Sequence, residues 1–208
     1  MSEPPVLADP DGASATPRKT GHNVIDMMVA GAAILISLVS LGVAIQNSRV
    51  QNKMLTAASW PMISYYTSNA TVEDGKRVIR MGLINTGVGP AKIESVRMSY
   101  RGKPVTDILP FLVTCCGAVV KGDHYGHGLL VNTVSPTVMM AGQQTSFFVL
   151  PETEDGKETW SRMDVARGEV ELSICYCSVF DECWLTDGIT LHPPRVKSCP
   201  AEARTFPE

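Results

Sequence analysis

An uncharged apolar stretch near the N-terminus constrains this chain more than any other feature. Residues Met27 to Ile45 carry no charged side chain, and only Ser37 and Ser40 among them are polar. A helix of this length is about 28 Å long, which matches the hydrocarbon thickness of a bilayer. Serine hydroxyls bond to the backbone of their own helix, so they are tolerated there. We predict one transmembrane helix over residues 24–46, in contact with the lipid bilayer.

A cleaved signal peptide is the alternative interpretation of this stretch. Gly42 and Ala44 are small residues at the spacing that a signal peptidase recognises. The apolar region of a signal peptide, however, is usually about 7–15 residues long and begins close to the N-terminus. Here the stretch is longer and starts well inside the chain, so we favour a retained anchor.

The flanking charges barely distinguish the two orientations of the helix in the membrane, because Arg18 and Lys19 precede the span and Arg49 and Lys53 follow it. The cysteines are more informative, since all six follow the span: Cys115, Cys116, Cys175, Cys177, Cys183 and Cys199. An even number of cysteines in one modest domain indicates disulfides and an oxidising compartment. We therefore predict an inner-membrane protein with a cytoplasmic N-terminus and a periplasmic or otherwise extracytoplasmic domain. The alternative is a cytosolic domain with free or metal-bound thiols.

The chain divides into five predicted segments. Residues 1–23 are rich in proline and read as a disordered cytoplasmic tail, and residues 24–46 form the membrane helix. Residues 47–58 lack glycine and proline and form a helical stalk. Residues 59–190 form the extracytoplasmic domain, and residues 191–208 form an irregular tail.

The stalk carries a weak apolar stripe at helical spacing, formed by Val50, Met54 and Ala57. Three such positions are too few for a convincing coiled coil. We expect the stripe to dock on its own domain, and pairing with a second copy of the chain is the alternative.

Short segments rich in strand-forming residues follow the stalk, separated by Gly, Pro, Asn and Asp. Ala91 to Tyr100 alternates apolar and polar residues, as a strand with one solvated face does. Further strands are predicted over 61–68, 77–85, 143–150, 168–177 and 183–186, and short helices over 105–112 and 158–165. The sequence thus predicts a mainly β fold, an immunoglobulin-like antiparallel β-sandwich preceded by one transmembrane α-helix and a short stalk helix.

A glycine-rich segment, Asn85-Thr86-Gly87-Val88-Gly89-Pro90-Ala91, joins two predicted strands. Gly87 and Gly89 can adopt positive φ, Pro90 fixes φ, and the Asn85 side chain can bond nearby backbone. A phosphate-binding loop is disfavoured, because no Gly-Lys-Ser/Thr follows and the next residues alternate like a strand. We interpret Asn85, Gly87, Gly89 and Pro90 as a structural turn.

Three motifs together resemble a group of bacterial single-pass membrane-anchored proteins of unknown function. They are Trp60-Pro61 after the span, the Asn-x-Gly-x-Gly-Pro-Ala segment at Asn85, and Tyr176-Cys177-Ser178-Val179-Phe180-Asp181-Glu182-Cys183-Trp184. The Asn85 segment is also similar to the strand–turn–strand of immunoglobulin-like adhesion modules. The resemblance covers residues 58–186. It implies an architecture and a topology, and no catalytic residue.

Cys177 and Cys183 flank a short loop, and a hairpin there would bring them within disulfide range. They are the preferred pair. Cys175 shares a sheet face with Cys177 in a regular strand and can reach Cys199 or one of Cys115 and Cys116. A bond between Cys115 and Cys116 is a further alternative, so the remaining pairing stays open.

No catalytic motif is present, and we predict no enzyme activity and no cofactor. A net charge of −3 argues against a nucleic-acid partner. We expect the domain to bind an unknown protein or a cell-envelope component. The alternative is an envelope enzyme or a metal or redox protein that uses Cys115, Cys116, His124 and His127, although their spacing matches no standard zinc framework.

Overall fold

The computed structural model describes residues 23–70, 75–119, 128–200 and 206. The chain forms two compact units, Met1–Gln51 and Asn52–Glu208. One uninterrupted helix, α1 (Asn23–Ala58), contains both the apolar stretch and the predicted stalk. It is long and apolar enough to cross a membrane, two properties that anchors and signal sequences share. Ser37 donates its hydroxyl to the Ala33 carbonyl 2.8 Å away, so its polar group is satisfied within the helix.

In the described residues, ten strands and two further helices follow α1. The strands are β1 (Ile63–Ser68), β2 (Val78–Asn85), β3 (Ala91–Tyr100), β4 (Lys103–Val105), β5 (Leu130–Val131), β6 (Thr137–Met139), β7 (Gln144–Pro151), β8 (Val170–Cys177), β9 (Cys183–Thr186) and β10 (Arg195–Val196). The helices are α2 (Ile108–Cys116) and α3 (Lys157–Ala166), the latter continued by one 3-10 turn, Arg167–Glu169. The mainly β prediction is confirmed.

The strands form two antiparallel sheets. The first has the order β1-β2-β7-β5, and the second has the order β10-β9-β8-β3-β4, with β6 paired to the start of β3. Buried side chains of both sheets belong to one apolar cluster, with Met81 and Phe148 from the first sheet and Val96 and Ile174 from the second. Gly82, in the middle of β2, leaves room for the Tyr66 ring, which a Cβ at that position would overlap.

The helices between the strands cover the same core. Trp160 of α3 is 2% exposed, and its indole N–H donates to the Leu150 carbonyl at 3.1 Å. The helix predicted over 105–112 is displaced toward the C-terminus, because residues up to Val105 pair with β3 instead. Asp107 caps α2 by accepting a hydrogen bond from the Leu109 amide at 3.0 Å, and Gly117 ends it at a φ of 65°.

Described residues of the segment predicted to be an irregular tail, 191–208, contact the domain. Arg195 and Val196 form β10 on the edge of β9. Phe206 is 1% exposed, and its amide donates to the Val96 carbonyl at 2.8 Å. Its ring meets that of Phe147 edge-on at 5.7 Å. Because Val96 and Phe147 belong to different sheets, Phe206 contributes to the core between them.

The stalk stripe does not dock as expected at Met54, whose side chain remains 66% exposed. The neighbouring positions Asn52 and Lys53 are polar, so this part of α1 offers little apolar surface for docking. The tail predicted to be disordered, residues 1–23, lies outside the described residues except for Asn23, where α1 begins.

Candidate functional site

The side chain of Asn85 organises one end of the β domain. Its amide nitrogen donates to the carbonyls of Gly89, at 2.8 Å, and Met139, at 3.1 Å. Its oxygen accepts from the amides of Gly87, at 3.0 Å, and Met62, at 3.3 Å. Asn85 is fully buried. One side chain therefore joins the end of β2, the β2–β3 turn, β6 and the segment that precedes β1.

Gly87 and Gly89 allow the backbone of residues 59–62 to lie directly against the β2–β3 turn. Neither has a positive φ, which corrects the reason inferred from the sequence. A Cβ on Gly87 would collide with the backbone of Trp60, Pro61 and Met62, and one on Gly89 would collide with Ser59. Segment 59–62, which we call the linker, lies directly against the β2–β3 turn.

Backbone hydrogen bonds fix the linker in this position. The amides of Val88 and Gly89 both donate to the Trp60 carbonyl, at 3.0 and 3.2 Å, and the Thr86 amide donates to the Met62 carbonyl at 2.8 Å. The turn motif thus attaches the chain segment that follows α1 to the domain. This role explains why Trp-Pro and the glycine-rich turn occur in one chain.

The β8–β9 loop, residues 178–182, contains internal hydrogen bonds and forms ion pairs with β3 and β10. The Ser178 hydroxyl accepts from the amides of Phe180 and Glu182, at 3.2 and 3.3 Å. Asp181 pairs with Lys92 of β3, and Glu182 pairs with Arg195 of β10, the latter at 3.0 Å. The loop therefore contacts both neighbouring strands, β3 and β10.

Several large apolar side chains are exposed at this end of the domain, and four of them lie on the linker, the β2–β3 turn and the β8–β9 loop. Trp60 is 42% exposed, Val88 65%, Val179 48% and Phe180 55%. They lie on the linker, the β2–β3 turn and the β8–β9 loop, which the Trp60–Val88 bond and the Lys92–Asp181 pair hold near the start of β3. We call these four residues the apolar loop end. The sequence offered one signal for it, the Val179-Phe180 pair at the tip of a cysteine-bounded loop.

A groove of about 550 Å³ lies beside the apolar loop end. Trp60, Glu182 and Arg195 line it, together with Asn52, Lys53, Thr56 and Ala57 of α1. The Arg195 guanidinium lies 5.4 Å from the centre of the Trp184 ring, and that ring stacks on Tyr176 at 5.5 Å. The groove therefore combines an exposed indole with the Glu182–Arg195 ion pair.

All six cysteines are paired. The structure joins Cys177 to Cys183, the pair preferred from the sequence, and also Cys175 to Cys199 and Cys115 to Cys116. The Sγ atoms of Cys177 and Cys199 are only 3.8 Å apart, so the first two disulfides are in contact at the base of the β8–β9 loop.

The metal alternative loses half of its ligands, because the sulfurs of Cys115 and Cys116 are bonded to each other and supply no thiolate. His124 and His127 lie outside the described residues. The sulfurs of Cys177, Cys183 and Cys199 lie within 4.8 Å of one another, but each belongs to a disulfide.

Two tyrosines of the domain have perturbed ionisation. Burial raises the pKa of Tyr65 to about 12 and that of Tyr176 to about 12. Both phenols therefore stay protonated in neutral solution and act as packing groups. Two backbone amides and the hydroxyl of Thr190 lower the pKa of Asp187, which holds the turn after β9.

Compared with protein-family models, curated proteins and solved structures, the chain matches none of them.

Proposed function

We propose that this chain is a single-pass membrane protein that displays an immunoglobulin-like recognition domain outside the cytoplasm. In this proposal α1 is a retained inner-membrane anchor and the N-terminus is cytoplasmic. The apolar loop end binds another protein or a cell-envelope component. Recognition is favoured over catalysis because the exposed features of the domain are apolar side chains on loops.

The strand order supports an immunoglobulin-like sandwich. The sequence β1-β2-β7-β5 corresponds to strands A-B-E-D of that fold, and β9-β8-β3-β4 corresponds to G-F-C-C′. The domain departs from antibody domains in its cysteines, since Cys175 on β8 bonds to Cys199 and not to a residue of β2. In this assignment the β2–β3 and β8–β9 loops correspond to two loops that antibodies use for antigen binding.

The disulfides support the extracytoplasmic placement. Three pairs account for every cysteine, and such bonds persist in oxidising compartments. A reporter that is active only outside the cytoplasm, fused after Glu208, should be active. A silent reporter, with a cytosolic reporter active at the same place, would reverse the orientation.

The apolar loop end is the observation on which the recognition proposal rests. An indole, a phenyl ring and two valines are exposed on segments near the start of β3, and exposed apolar groups that cluster usually mark an interaction site. Aromatic anchors surrounded by polar groups are typical of binding hot spots. The Lys92–Asp181 and Glu182–Arg195 pairs supply such a polar rim.

Site-specific photo-crosslinking in intact cells tests the proposal. A photoreactive phenylalanine analogue replaces Phe180, and a matched chain carries it at Leu130, which is 59% exposed on the edge strand β5 and pairs with Val149 toward the far end of β7. We expect a discrete product with a second protein or envelope component at position 180 only. Equal labelling at both positions, or none at 180, would refute a recognition site there. A product with twice the mass of the chain would show that the partner is a second copy of the chain.

A further inference from the structure

The disulfide between Cys115 and Cys116 differs from the other two in what it can stabilise. It joins adjacent residues, whereas the other pairs have sequence separations of 24 and 6. In the chain-entropy account the stabilisation by a disulfide grows with the length of the loop that it closes. A bond between adjacent residues closes no loop, so stabilisation of the fold does not explain this disulfide.

The two sulfurs of this pair have different access to solvent. Cys115 is half-buried and lines a groove of about 350 Å³ with Tyr100, Arg101, Arg162 and Glu169. Cys116 is 1% exposed, and its Sγ lies 3.8 Å from the sulfur of Met163 in α3. An incoming thiol can therefore reach the pair from the Cys115 side.

Two ion-paired arginines lie on the accessible side. Arg162 approaches Gly117 so closely that a Cβ there would lie 2.7 Å from its Nη1, and Arg162 also pairs with Glu158. Arg101 lines the groove and pairs with Glu169. Each of the two guanidinium groups is therefore paired with a carboxylate, and the groove presents polar, hydrated groups beside Cys115.

We propose that Cys115–Cys116 is a thiol–disulfide exchange site that accepts two electrons from a dithiol. A thiolate of the dithiol attacks Sγ of Cys115, the Cys115–Cys116 bond breaks, and Cys116 leaves as a thiolate that takes up a proton. The second thiolate of the dithiol then attacks the dithiol sulfur that is bonded to Cys115, forms the new disulfide and releases Cys115 as a thiolate, which is protonated in turn. The dithiol becomes a disulfide, and Cys115 and Cys116 become thiols.

This inference is independent of the recognition proposal, because the groove is formed by α2, α3 and the end of β3, away from the apolar loop end. The full-length protein in detergent is titrated with dithiothreitol, alkylated and mapped by peptide mass spectrometry. We expect half-reduction of Cys115–Cys116 at about one-tenth of the dithiothreitol concentration that opens the other pairs. Simultaneous opening of all three pairs, or later opening of Cys115–Cys116, would overturn the proposal.

Two single variants test the asymmetry with glutathione disulfide as the probe. Cys116→Ser leaves the accessible thiol and should form a mixed disulfide with glutathione at Cys115. Cys115→Ser leaves the buried thiol. It should react about tenfold more slowly, because burial limits access to the thiol and disfavours the thiolate. Equal rates, or no adduct in Cys116→Ser, would contradict the proposed site. A cooperative thermal unfolding transition checks that both variants are folded, and the titration of the unsubstituted protein does not depend on them.

Discussion

The amide nitrogen of Asn85 lies 2.8 Å from the carbonyl oxygen of Gly89, and this bond closes the β2–β3 turn over the linker. Because the same side chain also bonds Met62, Gly87 and Met139, no other residue type fits all four partners. An aspartate would place a charge against two carbonyl oxygens, and an alanine would leave all four groups without Asn85 as partner.

Replacement of this side chain should destabilise the domain strongly. We expect Asn85→Ala to lower the free energy of unfolding by about 3 kcal/mol, the upper range for buried polar groups that lose their partners. Asn132→Ala is the matched control, since exposed Asn132 makes one bond to the Ser146 carbonyl at 3.0 Å and should cost about 1 kcal/mol. Urea unfolding followed by tryptophan fluorescence measures both. Equal losses of unfolding free energy would show that the four hydrogen bonds of Asn85 stabilise the domain no more than the one bond of Asn132.

A side chain at Gly89 should separate the linker from the domain. Gly89→Ala places a Cβ against the backbone of Ser59, which cannot yield as a flexible side chain does. We expect a loss of about 2 kcal/mol and faster amide exchange at Val88. Gly168→Ala is the control, because nothing lies within 4 Å of its added Cβ. Unchanged exchange at Val88 would argue against a clamped linker.

Phe206 should be as important to stability as a residue in a central strand. Truncation to alanine removes a buried ring between the sheets, and we expect a loss of about 3–5 kcal/mol. Phe180→Ala changes the same side chain at an exposed position and should stay within about 0.5 kcal/mol. Thermal unfolding of both variants provides the comparison. Similar melting temperatures would place Phe206 outside the core.

The contact between two disulfides predicts a specific rearrangement. In Cys175→Ala the freed Cys199 thiol is 3.8 Å from Cys177, so it should attack the Cys177–Cys183 bond and yield a Cys177–Cys199 isomer. Peptide mapping without reductant detects the isomer as a new crosslinked peptide. Cys115→Ala should give no isomer, because the Cys116 that it frees is buried beside Met163. A single unchanged Cys177–Cys183 bond in Cys175→Ala would contradict this prediction.

The Arg77–Glu152 pair predicts a pH dependence of stability. Arg77 donates to both carboxylate oxygens at 2.8 Å and lowers the pKa of Glu152 below its ordinary value of 4.5. A lowered folded-state pKa adds stability that is present above pH 4.5 and is lost as the pH falls through the folded value.

Arg77→Gln should therefore be less stable than the unsubstituted protein at pH 7, and the difference should shrink at pH 3. A part of the deficit should persist in acid, because Arg77 also stacks 4.3 Å over the Trp160 ring. Urea unfolding at the two pH values tests this, with Lys103→Gln on the exposed strand β4 as the control. A deficit that is constant with pH would assign the whole effect to stacking.

Local patterns in the sequence predicted most strands and helices. Ala91 to Tyr100 alternates because one face of β3 is buried, and its bounds agree with the structure. The spacing of Cys177 and Cys183 pointed to a hairpin because a short loop leaves few geometries for the chain. These features depend on neighbours in the sequence.

Features that depend on distant segments were missed or misread. Gly87 and Gly89 suggested positive φ, but their requirement arises from the linker, which lies more than twenty residues earlier. Phe206 lies among proline and charged residues with no apolar period, so nothing local indicates its burial. The Cys115–Cys116 bond stayed one of several open pairings, because the sequence does not show that Cys175 bonds to the distant Cys199.

The burial of Phe206 between the sheets also sets an order of events during synthesis. Ribosomes release the chain from its N-terminal end, so β3 and β7 emerge long before the ring that packs between them. Cys199, the partner of Cys175, is equally late. A nascent chain that has reached only β9 lacks a core residue and a crosslink, so it should remain open and sensitive to proteases until residue 206 arrives.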